Sequence, residues 1–350
     1  MSKSARRMGR AEAREARKGA LVTTASNDNS GVTAFTFGDP EPVLDRATVL
    51  DMLECWHNHR WYEPPISRDG LARAFRASPH HSSAIILKRN MLAASLEPTS
   101  MLSRRTFEAA VQDYLVFGDV YFQIMRNRLG GVLRLEHSLS KYTRRGVEPG
   151  SFWWVPGFKA EEEFAKDSVI QLKAPDVNQE IYGVPEYLSA LQSALLNESA
   201  TLFRRRYYLN GSHAGYILYA TGEFADGDVD AMREALKRSK GPGNFRNLFV
   251  HAPGGKEGGI KIHPIAEVGA KDEFLGIKNT TRDDVLAAHR VPPQLLGIIP
   301  ANAGGFGDPA KASDQFYALE IEALQAVFRE LNDRLGVEVV RYRERIRSNA

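Results

Sequence analysis

Tyr182-Gly183-Val184-Pro185-Glu186-Tyr187-Leu188-Ser189-Ala190-Leu191 opens the stretch, running on to Asp308, whose reading decides the fold. Gly183 breaks the strand before it, Pro185 suits a first helical turn where no amide bond is lost, and Glu186 complements the positive end of the helix dipole. Asn210-Gly211 is the matching stop. Between these ends Leu188, Leu191, Leu195 and Leu202 recur at helical spacing. One stripe is therefore expected to be buried, with Asn197, Glu198 and Arg205 away from its centre. At 1.5 Å per residue such a helix spans about 39 Å, longer than the ordinary globular helix.

A second long helix is expected from Lys271 to Arg290, and its residues sort into three faces when placed about 100° apart. Lys271, Lys278, Arg282 and His289 share one narrow stripe; Phe274, Ile277, Thr281, Val285 and Ala288 lie beside it; Asp272, Glu273, Asp283 and Asp284 occupy the far side. This pattern fits a solvated surface helix, and equally a helix that meets a partner or a ring of copies. Between the helices, Ala214 to Pro264 reads as a small α/β protrusion. Its strand candidates are Tyr216 to Tyr219, Leu248 to His251 and Ile260 to His263, around a helix from Val229 to Ser239. Two helices holding one insertion make a pillar. After them come Val291-Pro292-Pro293-Gln294-Leu295-Leu296-Gly297 and a mobile loop, Gly304-Gly305-Phe306-Gly307-Asp308-Pro309. An amphipathic helix from Ser313 to Leu335 and a strand from Val337 to Tyr342 end the chain.

Upstream, residues 1–33 form a basic arm, and order is expected to begin near Phe35, with a short helix at Arg46 to Cys55. The prolines of Trp61-Tyr62-Glu63-Pro64-Pro65 exclude helix. Helices are expected at Ser82 to Leu96 and Ser103 to Leu115, the latter with Ser103 as N-cap. Strands follow at Val120 to Arg126, Val132 to His137, Phe152 to Val155 and Val169 to Leu172. Helices followed by a short-strand meander describe an α+β body.

The 350 residues, 43% hydrophobic and 25% charged, suffice for a sizeable core divided over two or three subdomains. No apolar run approaches a bilayer span, and Arg6, Arg7, Arg10, Arg14 and Arg17 exclude a secretory signal. Cys55 is the single cysteine, so no intrachain disulfide forms. The net charge of +3 argues against a repressor or packaging histone, which needs many phosphate-neutralising residues, but is compatible with a surface that DNA slides past.

Catalytic patterns are missing. Gly254-Gly255-Lys256-Glu257 lacks the first glycine and the Ser or Thr of a phosphate loop, and reads as a glycine turn. Cys55, His57 and His59 have metal-like spacing but no evident fourth ligand. Asp113, Glu136 and Asp176 show no spacing that would flank a substrate, and Glu161-Glu162-Glu163 is a solvated run. No cofactor is expected, and a structural or assembly role is favoured over an enzyme.

The runs Phe35-Thr36-Phe37-Gly38, Arg60-Trp61-Tyr62-Glu63-Pro64-Pro65, Leu115-Val116-Phe117-Gly118 and Lys141-Tyr142-Thr143-Arg144-Arg145-Gly146, together with Tyr182 to Leu191, Asn197 to Phe203, His213-Ala214-Gly215-Tyr216 and His289-Arg290-Val291-Pro292, resemble a phage portal protein. The likeness is to portals of temperate contractile-tailed phages and covers nearly the whole chain after about residue 30. It implies a non-catalytic ring, usually of twelve subunits, at one capsid vertex, through which double-stranded DNA is pumped by terminase and later ejected. The implied parts are a basic arm at 1–33, an α+β wing at 34–182, stem helices at 183–212 and 266–291, a clip at 213–265, a tunnel loop at 292–312, and a C-terminal helix and strand at 313–350 returning to wing and crown. The implied channel residues are Gly297, Asn302, Gly304, Gly305, Phe306, Gly307 and Asp308; Lys271, Lys278, Arg282 and His289 are expected to face DNA on the ground of their shared stripe alone. Lys237, Arg238, Lys240 and Arg246 of the clip are expected to dock the terminase large subunit and then head-completion and tail connector proteins. Major capsid protein and scaffold are the other implied partners, and no membrane is. Rival readings are a metal-dependent DNA-processing enzyme using Cys55, His57 and His59, and a DNA-binding adaptor that forms no ring.

Overall fold

The computed structural model describes residues 55–177, 179–209, 216–220, 260–264, 270–298 and 308–345. The expected helices at Arg46 to Cys55 and Val229 to Ser239 and the strand at Leu248 to His251 lie essentially outside these residues. So do the basic arm and most of the glycine loop.

The body opens with a helix the sequence pattern did not reveal, α1 (Arg68–Ala74), capped by Ser67, whose hydroxyl accepts from the Gly70 amide. Helix α2 (Pro79–Ser95) starts three residues earlier than expected because Pro79 occupies its first turn, and runs directly into β1 (Leu96–Glu97). Helix α3 (Arg104–Phe117) is capped as its sequence requires: the Ser103 hydroxyl accepts from the Thr106 amide at 3.1 Å, and Gly118 closes it at φ 75°. Two sheets follow. Strand β2 (Asp119–Arg126) is central between β3 (Val132–Ser138) and, later, β7 (Val169–Lys173), all antiparallel. The smaller sheet joins β4 (Thr143–Arg145), β5 (Phe152–Trp154) and β6 (Glu162–Glu163), so the acidic run is an exposed edge strand.

Both faces of β2 are covered, which fits the consecutive apolar run Val120-Tyr121-Phe122 in its first half. Val120, Phe122 and Ile124 enter the main core, while Tyr121 points to the other face against Phe152 and Val169. Trp61, buried, tilts against Trp153 at 5.6 Å and holds the proline segment to the small sheet.

The first long helix differs from expectation at its start. Glu186–Ala190 is a 3₁₀ turn, Pro185 stands outside it, and α4 (Leu191–Leu209) supplies 19 α-helical residues, about 28 Å. The tight turn arises because the Leu188 amide bonds to the Pro185 carbonyl, three residues back. Strands β8 (Tyr216–Ala220) and β9 (Ile260–Pro264) pair antiparallel at the base of the inserted module, and α5 (Ala270–Ala288) is the second long helix.

The C-terminal helix is interrupted. α6 (Pro309–Phe316) begins at Asp308, whose carboxylate accepts from the Ala310 and Lys311 amides; Asp308 is thus a helix cap at the loop's exit. A π turn at Tyr317–Ile321 separates it from α7 (Glu322–Leu335). Phe328 of α7 is the centre of the core, with rings of Phe107, Tyr114 and Phe122 at 5.0, 5.6 and 6.4 Å. The last strand, β10 (Arg341–Tyr342), pairs with β1 and is shorter than expected. Asn332 Oδ1 accepts from both the Val339 and Val340 amides at 2.8 Å, taking the backbone groups a longer strand would have paired. No described helix is long and apolar enough to cross a membrane.

Candidate functional site

The site that organises the molecule is the helix pair α4–α5 and its joint with the body. The pair is locked by polar groups at its seam. Asn197, expected away from the centre of the buried stripe, is fully buried, and its side chain donates to Thr281 Oγ1 at 2.8 Å and faces Ser78 of the body at 3.5 Å. Lys278 Nζ donates to Thr201 Oγ1 at 2.7 Å, and Ser193 donates to Asp284 at 2.9 Å. Ala190, Ala194 and Val285 fill the space between, so small side chains bring the backbones close enough for these bonds. A buried amide satisfied only in one register fixes how far one helix slides on the other. Leucine spacing alone could not reveal that; Leu202, placed on the buried stripe by its spacing, is 51% exposed.

At the joint, His81 of α2 meets His289 just past α5, with Nδ1 to Nε2 at 2.9 Å, and both rings pack against Tyr187. Next to them an ion network links four segments. Arg290, held at φ 54°, bonds both Glu186 of the 3₁₀ turn and Glu320 of the π turn, and Glu320 also takes Lys88 Nζ at 2.8 Å. Burial would raise the Glu320 carboxyl, but Arg290 and Lys88 outweigh it and hold it below the usual range. A cavity of about 260 Å³ lies against this network, lined among others by Tyr114, Pro185, Leu319 and Val327.

His289 is therefore withdrawn from the expected DNA-facing stripe: it is 5% exposed and forms part of the joint. Arg282 is largely covered and bonds Asp283 and Asn279, while Lys278 is engaged in the seam. The backbone of Lys271 lies in α5, Gly297 closes a 3₁₀ turn at Pro293–Leu296, and Asp308 caps α6. Asn302, Gly304, Gly305, Phe306 and Gly307, like Lys237, Arg238, Lys240 and Arg246, lie outside the described residues. Cys55 Sγ is directed at Gln179 Oε1 at 3.3 Å, and His57 packs edge-on against His59 and Tyr62. His137 Nε2 and Asp113 at 2.9 Å have the look of a catalytic pair, but the same carboxylate oxygen accepts the Ser140 amide, so the contact pins the end of β3 to α3.

The histidine pair makes the joint acid-sensitive. Burial depresses both pKa values, to about 4 for His81 and about 2 for His289, the latter also through His81, Lys88 and Arg290. The unfolded chain takes up these protons first, so this stability is intact above an unfolded pKa of 6.5 and is lost as pH falls from there toward the folded values. Urea unfolding is expected to weaken by about 2 kcal/mol per histidine between about pH 6.5 and about pH 5. Replacing both by phenylalanine should flatten that slope, and an unchanged slope would dismiss the pair as its source.

Comparison with known proteins agrees with this architecture. The family model for phage portal protein matches residues 84–347. The probable portal protein of Escherichia phage P2 is 52% identical over 325 residues, covering 93% of this chain and 94% of that one. That of Haemophilus phage HP1 is 38% identical over 322 residues, covering 89% and 93%. Among solved structures, the virion of a native gene transfer agent particle matches with a TM-score of 0.57 at 17% identity, over 82% of this chain and 86% of that one. An HK97 family phage portal protein from Corynebacterium diphtheriae matches with a TM-score of 0.55 at 15% identity, over 78% and 94%. The extent and collinearity of these matches, on a body carrying two long helices around one insertion, mean that the chain belongs to the phage portal protein family.

Proposed function

We propose that the chain assembles as a ring, of twelve copies, at one vertex of the capsid, and that the ring is the conduit for double-stranded DNA during packaging and ejection. The observation that carries this reading is the helix pair: rigid, locked in register at its seam, and bolted at one end to the body by the histidine and ion-pair joint. Cyclic assembly needs such an element, because each contact joins two different faces and must repeat at a fixed angle. A solved neck of a native gene transfer agent particle, matched with a TM-score of 0.54 at 19% identity, was computed with C12 symmetry, which supports the choice of twelve.

In this reading residues 34–182 are the wing, the helix pair is the stem, 213–265 is the clip and 292–312 the tunnel loop. The clip, through Lys237, Arg238, Lys240 and Arg246, docks the terminase large subunit and later the head-completion and tail connector proteins. Major capsid protein and scaffold surround the ring, and assembly takes place in the host cytoplasm. The protein does no catalysis; contacts to DNA are to backbone and carry no base reading. With Lys278 engaged at the seam and His289 at the joint, DNA contact falls chiefly to the loop from Gly297 to Asp308.

Electron microscopy of the purified protein should show rings with a central hole; monomers alone at micromolar concentration would reject the reading. Deleting Gly304 to Gly307 should leave rings intact yet cut the yield of DNA-filled particles, and a normal yield would remove the loop from the conduit.

A further inference from the structure

From the two outward faces of the stem we infer how neighbouring copies meet: the uncharged strip Gln192, Leu196, Ser199 and Phe203 of α4 packs on the small-residue strip Gly276, Thr280, Asp283 and Ala287 of α5 in the next copy. This rests on the ring reading and adds to it the surfaces that close the ring.

All eight residues are exposed in the single chain, Leu196 by 49% and Phe203 by 37%. The spacing is the same in both strips, and in α4 it gathers four residues without a formal charge on a solvent-facing helix. Depletion of charge with apolar side chains is the mark of an interface core, whereas a solvated face carries charge. In α5 the matching face is shallow. A Cβ on Gly276 would meet nothing within 4 Å among the described residues, and Asp283 is already paired with Arg282. Larger side chains on one helix thus face a groove of small ones on the other, the arrangement that lets helices approach closely.

The two strips lie on opposite sides of the stem. On α4 the strip is about 160° around the helix from the seam residues Ala194, Asn197 and Thr201, and on α5 about 135° from Thr281, Val285 and Ala288. Each strip therefore points away from its own partner helix, as a head-to-tail ring contact requires.

Their heights also agree. In the seam Ser193 is level with Asp284, Asn197 with Thr281, and Thr201 with Lys278. On that ruler Gln192 is level with Ala287, Leu196 with Asp283, Ser199 with Thr280, and Phe203 with Gly276. Rotation about an axis running along the stem preserves height, so the strips of adjacent copies come into register without a shift.

The test uses the full chain with Cys55→Ser, which removes the single native thiol. Adding Ser199→Cys and Thr280→Cys places one thiol on each strip at the same height, and a disulfide needs Cα atoms about 5.5–6 Å apart. Mild oxidation should give a ladder of covalent multimers on a non-reducing gel, and either cysteine alone should give no ladder. Separately, Leu196→Arg should reduce the ring fraction at least tenfold while leaving the helical content by circular dichroism unchanged, since the side chain is exposed in the single chain. If the parent Cys55→Ser chain makes no rings, the ring reading falls and takes this packing with it. If the parent makes rings, but the cysteine pair stays monomeric on the gel or Leu196→Arg assembles normally, this packing alone is wrong.

Discussion

Replacing Asp119 with alanine will lower the unfolding free energy by about 3–5 kcal/mol, enough to leave much of the chain insoluble. Asp119 and Arg68 form an ion pair in the core, with side chains 0% and 4% exposed. Asp119 Oδ1 also accepts the Gly183 amide and the Gln171 side chain, both at 2.8 Å, and Arg68 Nη1 donates to the Phe117 carbonyl at 3.1 Å. One carboxylate thus ties α1, the start of β2, strand β7 and the segment that enters the stem. Burial pushes its pKa up, and Arg68, the Gly183 amide and Gln171 pull the other way. Removing the carboxylate strands a guanidinium in the core with no counter-ion, which is why the loss exceeds that of an ordinary hydrogen bond. Changing both residues together, Arg68→Met with Asp119→Leu, should recover part of the loss, because no charge is then left buried. Urea denaturation of both singles and the double measures this directly. A single-variant loss below about 1 kcal/mol would mean that water reaches the site.

Local rules carried much of the body. Ser103 and Gly118 bracket α3 where a hydroxyl cap and a left-handed glycine belong, and β2, β3 and β7 lie within a residue of the limits their β-branched and aromatic content sets. The elements that escaped are those created by distant partners. Helix α1 is short and weakly patterned, and it is held by Arg68 reaching Asp119 across 51 positions of sequence. β1 is only two residues, and it is a strand because β10 returns from the far end of the chain. Periodicity has no access to either.

The joint was partly legible. Glu186 and His289 were both visible as notable residues, one as a dipole partner and one in a basic stripe. Wheel geometry gave His289 the correct angle but not what stands at that angle: the body, through His81 and Tyr187, instead of open channel. A helical wheel reports direction and omits neighbours. Asn197 differs for the related reason that the leucine spacing places it away from the centre of the buried stripe, whereas its amide is buried at hydrogen-bond distance from Thr281, where it serves to set register. Glu320 gave no signal at all, since it reaches Arg290 and Lys88 from a π turn that an uninterrupted amphipathic pattern does not betray.

Alanine at Gly183 or at Gly118 will damage the entry to the stem more than any surface change. The two glycines lie against each other where the chain leaves the body. A Cβ on Gly183 would overlap the Gly118 carbonyl oxygen and come within 2.9 Å of the Ala174 amide nitrogen, inside the hydrogen bond that joins those two groups at 2.8 Å. A Cβ on Gly118 would lie 2.5 Å from the Val184 carbonyl carbon, and Gly118 also sits at φ 75°. These neighbours are backbone atoms, so no side-chain rotation relieves the overlap and the two segments must part. For Gly118→Ala the left-handed conformation costs about 1–2 kcal/mol. Forced separation adds about 1–3 kcal/mol, and for Gly183→Ala it acts alone, at the upper end of that range. The segments that part are the C-terminal cap of α3 and the residues just before the 3₁₀ turn, so what remains folded should carry the stem at an altered angle. Gly183→Ala is therefore expected to lower the melting temperature by several degrees and, because a head-to-tail ring closes only at one subunit angle, to yield open arcs or monomers in electron micrographs. Gly157→Ala is the matched control: it too has a left-handed backbone, at φ 77°, but nothing within 4 Å of its missing Cβ, so it should lose about 1–2 kcal/mol and assemble normally. If Gly183→Ala melts and assembles like the parent, the backbone contact does not aim the stem, and the ion network at Arg290 is left as the element that does.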